Sequence, residues 1–75
     1  MIKVLYFGIT QEIAGSAEEE FRADSTDALR RLISEKYPRM NRVVFRLALN
    51  GRLLTAETAL KENDIVALLP PFAGG

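Results

Sequence analysis

Residues 25–38 read STDALRRLISEKYP, and this stretch contains the one long helix that the sequence predicts. Ser25 or Thr26 is suited to N-cap the helix, and Pro38 disfavours helical backbone at the residue before it. Apolar residues recur at helical spacing and form one stripe, at Ala28, Leu29, Leu32, Ile33 and Tyr37. A single amphipathic helix covers only one face of a sheet, so the strands around it decide the fold.

Strand-like segments lie on both sides of this helix. Ile2 to Phe7 is almost wholly apolar, and Asn50-Gly51 is a strong hairpin signal between two further segments. The predicted strands are residues 2–7, 18–22, 43–49, 52–54 and 65–69. The first two would form a hairpin, and the order predicts an α+β fold, a mixed sheet with one main helix packed across one face.

The first strand predicts which face of the sheet stays uncovered. Alternation sends three of its side chains toward the helix, namely Ile2, Val4 and Tyr6. Leu5 and Phe7 then lie on the side of Lys3, the one charge of the strand. The last strand is apolar on both sides and ends at Leu69. Because a monomer rarely exposes a broad apolar patch without a partner, Leu5, Phe7 and Leu69 are predicted partner-interface residues.

Length and composition exclude several classes of protein. Seventy-five residues predict one domain, 1–75, with residues 70–75 as an extended C-terminal tail. The chain has no Cys and no His, so a disulfide framework, a thiolate nucleophile, an imidazole base and the usual metal sites are not expected. No apolar run approaches the length of a membrane span, and no leader-like segment opens the chain, so the predicted location is cytoplasmic.

The charges balance overall but not locally. Ten Lys and Arg residues stand against ten Asp and Glu residues, so no bulk attraction to nucleic acid or to an anionic membrane is predicted. Seven of the basic residues lie between positions 30 and 52, with Glu35 as the only acid among them. We interpret this segment as a solvated basic side or as a docking surface for an acidic partner.

The C-terminal segment carries the clearest functional signal. It reads Pro70-Pro71-Phe72-Ala73-Gly74-Gly75. Two prolines favour an extended segment that cannot continue a sheet regularly. Two terminal glycines remove every side chain next to the carboxylate, and glycine suits backbone that closely approaches another surface. The pattern predicts an arm that carries a bare carboxylate into a narrow slot.

Over its full length the chain resembles a known family, the small ubiquitin-like sulfur-carrier subunits of molybdopterin synthase. The Pro-Pro-x-x-Gly-Gly ending is the most specific part of the resemblance, and Asn63 before Asp64 is a departure, since the family often has Gly-Asp there. The other matching segments are 2–7, 11–15, the helix from Thr26, 49–51 and 60–66.

The resemblance implies a β-grasp fold and a protein co-substrate that is not itself an enzyme. A partner of the ubiquitin-activating type would adenylate the Gly75 carboxylate with ATP, and a sulfur donor would convert it to a thiocarboxylate. The tail would then enter the large synthase subunit and donate sulfur to the pterin precursor. No bound cofactor or metal is implied for this chain, and catalytic residues are expected on the partners. Residues 70–74 would serve tail insertion.

Two alternatives remain open from the sequence. One is a sulfur carrier of the same fold in another pathway, such as thiamine biosynthesis. The other is a ubiquitin-like modifier or plain binding module, in which Gly75 joins a lysine by an amide bond or takes no part in chemistry.

Overall fold

The structure is a computed structural model and describes residues 1–71. Five strands form one sheet: β1 (Ile2–Tyr6), β2 (Glu18–Phe21), β3 (Arg46–Leu49), β4 (Arg52–Leu53) and β5 (Ile65–Leu69). The helices are α1 (Ile9–Ala14), α2 (Thr26–Lys36) and a 3₁₀ helix (Pro38–Arg42). Within the described part of the chain, no helix is both long enough and apolar enough to span a membrane.

The sheet is mixed, as the sequence predicts. Its strand order is β2-β1-β5-β3-β4, so the last strand lies in the centre. β5 pairs in parallel with β1 and antiparallel with β3, and the other two pairings are antiparallel hairpins. The last strand therefore lies next to the first strand, in the middle of the sheet rather than at an edge.

The main helix begins and ends where its sequence signals lie. The Ala28 backbone N–H donates to Ser25 Oγ over 3.1 Å, so Ser25 is the N-cap, and the helix ends at Lys36, one residue before Tyr37. The Thr26 N–H donates to the Thr58 carbonyl over 2.9 Å. These bonds fix the start of α2 against the segment that precedes β5.

The core lies between α2 and one face of the sheet. Ile2, Val4 and Tyr6 are buried there as predicted, opposite Leu29 and Ile33 of the helix. The other buried members of this core are Met40, Leu47, Leu60, Val66 and Leu68. Burial of these apolar side chains is the main favourable contribution to folding. The side chains of β1, β3 and β5 that point toward α2 form this core, and those that point to the other side of the sheet are not part of it.

The strand predicted at residues 43–49 is shorter than expected and begins at Arg46. Residues 43–45 form neither helix nor strand and follow the 3₁₀ helix, which the sequence did not predict. The Val43 N–H caps that helix by donating to the Met40 carbonyl over 3.4 Å. The reason lies in the partner strand. Arg46 pairs with Leu69, and Pro70, which follows, has no N–H to continue the ladder. The return strand also ends one residue early, at Leu53.

The predicted hairpin turn at Asn50-Gly51 is confirmed. Asn50 has φ of 50° and Gly51 has φ of 87°, the pair of positive values that a two-residue hairpin turn requires. Asn50 also bonds to the start of the last strand: its side-chain amide donates to Asp64 Oδ1, and its Oδ1 accepts from the Ile65 N–H. The turn thereby ties β3 and β4 to β5.

Candidate functional site: the open face and the tail root

The face of the sheet opposite α2 is named here the open face, and the strand register defines it. Leu5 pairs with Ala67, Ala67 with Ala48, and Ala48 with Leu53, which gives one apolar row across four strands. Lys3, Ile65, Leu69 and Arg46 have the same parity and lie on either side of this row. Glu18 and Glu20 of β2 close its outer edge opposite Leu5 and Lys3.

Three apolar side chains of the open face are exposed to solvent, and Ala48 in its apolar row is buried. Phe7 is 44% exposed, Leu53 44% and Ile65 39%, whereas Leu5 and Leu69 are half-buried. The predicted partial exposure of Phe7 is therefore confirmed. All three predicted interface residues lie on the same side of two adjacent strands. Such a patch on a small protein is typical of a surface that binds a partner.

The segment Leu69-Pro70-Pro71, named here the tail root, leaves the sheet at the end of the central strand, at one side of this patch. The parallel register ends at Tyr6 and Leu68, and its continuation by one and two residues would set Phe7 opposite Leu69 and Gly8 opposite Pro70. A Cβ at Gly8 would lie 2.9 Å from Pro70 Cγ, and Gly8 has φ of 57°, so the backbone passes Pro70 at a distance that leaves no room for a side chain. Pro70 is half-buried and Pro71 exposed, and predictions for Phe72, Ala73, Gly74 and Gly75 concern residues outside those described. The single domain with an extended tail therefore stays a prediction.

A polar cluster on the opposite face of β2 was not predicted. Glu19 Oε1 accepts hydrogen bonds of 2.8 Å from both Tyr6 Oη and Tyr37 Oη, and Lys36 pairs with Oε2. The two tyrosine rings meet edge to face with centroids 6.2 Å apart. The alternation of β2 puts Glu19 on the same side as Phe21, and this alternation is the sequence feature that indicates an inward-facing Glu19. Lys36 and Tyr37 lie too far along the chain for spacing to reveal the contact.

The cluster shifts the ionisation of its members. Partial burial tends to raise the pKa of Glu19, but hydrogen bonds from Lys36, Tyr37 and Tyr6 outweigh it and leave that pKa below its ordinary value. Burial, followed by the hydrogen bond to the negative Glu19, holds the pKa of the Tyr6 phenol well above its usual range. Glu19 is therefore ionised and Tyr6 neutral near neutral pH. The cluster joins the edge strand to the end of α2 and lies on the core side of the sheet.

Comparisons with known proteins agree with this geometry. A family model described as the ThiS family matches residues 4–75. The chain belongs to the ThiS family. Among curated proteins, this ThiS-family chain is 37% identical to the molybdopterin synthase sulfur carrier subunit of Chlamydomonas reinhardtii, covering 99% of this chain and 98% of that protein. It is 35% identical to the protein of the same name from Caenorhabditis briggsae, covering 99% and 96%.

Solved structures match the ThiS-family chain over almost its whole length. The small archaeal modifier protein 1 from Methanosarcina acetivorans superposes with a TM-score of 0.86 at 26% identity, covering 99% of this chain and 95% of that one. The complex of subunits 1 and 2 of molybdopterin-converting factor from Helicobacter pylori contains a chain that matches with a TM-score of 0.77 at 32% identity, covering 99% and 97%. The ubiquitin-like β-grasp fold implied by the sequence resemblance is confirmed.

Proposed function

We propose that this protein is the sulfur-carrier subunit of a molybdopterin synthase. The observation that carries the proposal is that the central strand, β5, lies in the middle of an exposed apolar face and runs directly into Pro70-Pro71-Phe72-Ala73-Gly74-Gly75. A partner that binds this face is thereby positioned to receive the C-terminal carboxylate. The curated relatives with the molybdopterin name favour this pathway over a thiamine-type carrier.

The proposed chemistry takes place at the Gly75 carboxylate. A carboxylate is a poor electrophile because displacement of oxide is prohibitive, so one of its oxygens first attacks the α-phosphate of ATP and pyrophosphate leaves. A nucleophile with sulfur at the sulfide level then adds to the acyl carbon, AMP leaves with the electron pair of the acyl–oxygen bond, and the thiocarboxylate remains. The chain has no Cys, so its own C-terminus is the position available to hold transferable sulfur.

Catalysis in this scheme belongs to the partners. The sequence contains no His or Cys, and the apolar row of the open face offers no base or nucleophile. We propose that an ATP-dependent enzyme of the ubiquitin-activating type performs the adenylation and that the large synthase subunit performs the sulfur transfer. The Helicobacter pylori complex of subunits 1 and 2 supports the second partner. The use of ATP leads us to propose a cytoplasmic location.

Docking on the large subunit is proposed to use Leu5, Phe7 and Leu69, with residues 70–74 entering its active site. Leu69 belongs to both elements, since it is the last residue of β5 and lies on the open face next to Pro70. Binding the face and inserting the tail are then one event, because the covalent link between them is a single peptide bond.

The proposal is tested by intact-mass analysis of the protein isolated from its own cells. We expect a gain in mass that equals the replacement of one oxygen atom by one sulfur atom. This gain should be located in the C-terminal peptide and absent after deletion of Gly75. The deletion moves the carboxylate, and the core residues all precede the tail, so the truncated protein should still unfold like the full-length one. Formation of a thiocarboxylate on the truncated protein at the normal rate would contradict the carrier role of Gly75.

A second candidate is a protein modifier, and the likeness to the small archaeal modifier protein 1 from Methanosarcina acetivorans favours it. In that case the activated Gly75 carbonyl would be attacked by a lysine amine, with loss of the activating group and formation of an isopeptide bond. Conjugates of higher mass in cell lysate that disappear on deletion of Gly75 would support this activity. If cells that contain the thiocarboxylate form show no such conjugates, the protein acts as a sulfur carrier and not as a modifier.

A further inference from the structure

Arg46 is a cation beside the apolar tail root. The β3–β5 register pairs Arg46 with Leu69, and its parity with Ala48 puts it on the open face. Phe7 follows the last recorded pair of β1 and β5, Tyr6 with Leu68, so continuing that register would place Phe7 on the other side of Leu69 from Arg46, immediately before the tail. Any surface that covers Leu69 and takes in Pro70 therefore also approaches the guanidinium of Arg46.

This guanidinium has no ionic partner among residues 1–71. On the same face, Lys3 Nζ lies 3.7 Å from Glu18 Oε2, and on the helix Arg31 lies 3.6 Å from Asp27. Arg30 stacks over the ring of Phe45, with its guanidinium carbon 5.2 Å from the ring centroid. Arg46 is exposed and makes no such contact within the described residues.

Covering such a group without compensation is unfavourable. An arginine carries five N–H donors and stays charged at any physiological pH, so it cannot avoid the cost by losing a proton. Removing it from water leaves a buried charge unless the covering surface supplies an acceptor of opposite charge. A carboxylate matches the planar fork of the guanidinium with two parallel hydrogen bonds.

We infer that the large synthase subunit presents an Asp or Glu side chain to Arg46, and that this ion pair is a determinant of partner choice at the tail root. The inference rests on the proposed function, because that function identifies the partner that receives the tail. It adds a requirement that an apolar patch alone does not impose: an apolar partner surface without a carboxylate at this point is rejected, since it would bury the charge unpaired.

The test is a binding isotherm of the full-length protein with the purified large subunit. Arg46→Met keeps the length of the side chain and removes the charge, which leaves the partner carboxylate buried and unpaired. We expect the dissociation constant to rise at least about 30-fold, mainly through faster dissociation, as for desolvated charge pairs. The dissociation constant of Arg46→Lys should lie between those of the wild type and Arg46→Met, because an ammonium keeps the charge but cannot reproduce the bidentate contact. The matched control is Arg39→Met, an exposed arginine of the 3₁₀ helix, which should bind like the wild type.

A second experiment identifies the partner group. Arg46→Glu should abolish binding by repulsion, and among single Asp-to-Lys and Glu-to-Lys variants of the large subunit one should restore it. If no variant in a complete scan restores binding, the ion pair does not exist. Thermal unfolding of each Arg46 variant should match that of the wild type, because the side chain is exposed; Arg46→Gln provides a second neutral variant if Arg46→Met unfolds early.

One result would assign Arg46 differently. A cavity of about 270 Å³ beside β3 is lined by Arg46 together with Asp27 and Glu57. If Arg46→Met binds as tightly as the wild type or more tightly, the side chain turns toward this cavity or stays at a solvated rim, and the inference is wrong. If the wild-type protein itself neither binds the large subunit nor carries sulfur, the proposed function fails instead, so the two failures are distinguishable.

Discussion

Replacing Phe7 with alanine separates docking from folding most directly. Phe7 is adjacent to the fully buried Tyr6 but lies on the opposite face, and 44% of it is exposed in the free protein. A fully covered aromatic residue buries about 200 Å², so docking can cover roughly another 90 Å² of Phe7. At about 25 cal/mol per Å², loss of this contact should weaken binding to the large subunit by about 2 kcal/mol, roughly thirtyfold in the dissociation constant.

The isolated Phe7→Ala protein should remain close to wild-type stability. Truncation of an aromatic residue in a core costs about 3–5 kcal/mol, whereas a half-exposed position should cost about 1 kcal/mol. The measurement is a pair of curves for each variant: urea unfolding of the free protein and an isotherm for binding to the large subunit. Tyr6→Ala is the contrasting variant, since its ring is 1% exposed and bonded to Glu19. Tyr6→Ala should therefore unfold at a lower urea concentration than Phe7→Ala.

Leu53→Ala is the matched control for binding. Leu53 has the same 44% exposure and lies on the same open face, but it belongs to the edge strand β4, three strands away from β1. Contacts at the centre of an interface dominate its free energy, so Leu53→Ala should weaken binding less than Phe7→Ala does. A loss of about 3–5 kcal/mol in the free Phe7→Ala protein, or a larger binding effect at Leu53, would refute the assignment of the docking centre.

Two further predictions concern the tail and the Glu19 cluster. Gly74→Val should fold normally but fail in sulfur transfer, because a β-branched side chain widens and stiffens the backbone next to the reacting carbonyl. Gly74→Ala should reduce the rate of sulfur transfer less. A wild-type transfer rate for Gly74→Val would contradict the narrow slot. Glu19 has a lowered pKa in the folded protein, so its stabilisation is present above its unfolded pKa of about 4.3 and is lost as the pH falls through the folded value. Glu19→Gln should cost about 1 kcal/mol at pH 7 and flatten the acid side of the stability curve. Glu20→Gln, at an exposed position on the other face, should leave the stability at pH 7 close to that of the wild type.

Local signals in the sequence predicted the elements whose causes are local. The start of α2 follows from the Ser25 cap and the turn at Asn50-Gly51 from its backbone preference, and both occur as expected. The two faces of β1 also follow from simple alternation around Lys3. In each case the physical cause acts within a few residues, so the sequence alone carries it.

The parts that the sequence could not predict depend on partners far along the chain. The start of β3 is set by Pro70, which ends the strand opposite Arg46, and no property of residues 43–45 reveals that limit. The parallel pairing of β5 with β1 places the tail root beside Phe7 and Gly8, again over more than sixty residues of chain. The Glu19 cluster joins β2 to the end of α2 in the same way.

The placement of β5 has a consequence for the order of events in the proposed pathway. The tail root leaves the sheet at the end of β5, beside the open face, and we propose that the activating enzyme and the large subunit both bind this patch. Leu69 of the open face is bonded directly to Pro70 of the tail, so one partner cannot bind the open face while a second partner binds the tail of the same molecule. The carrier must therefore dissociate from one partner before it binds the other, which favours an interface of moderate area and fast exchange over a permanent one.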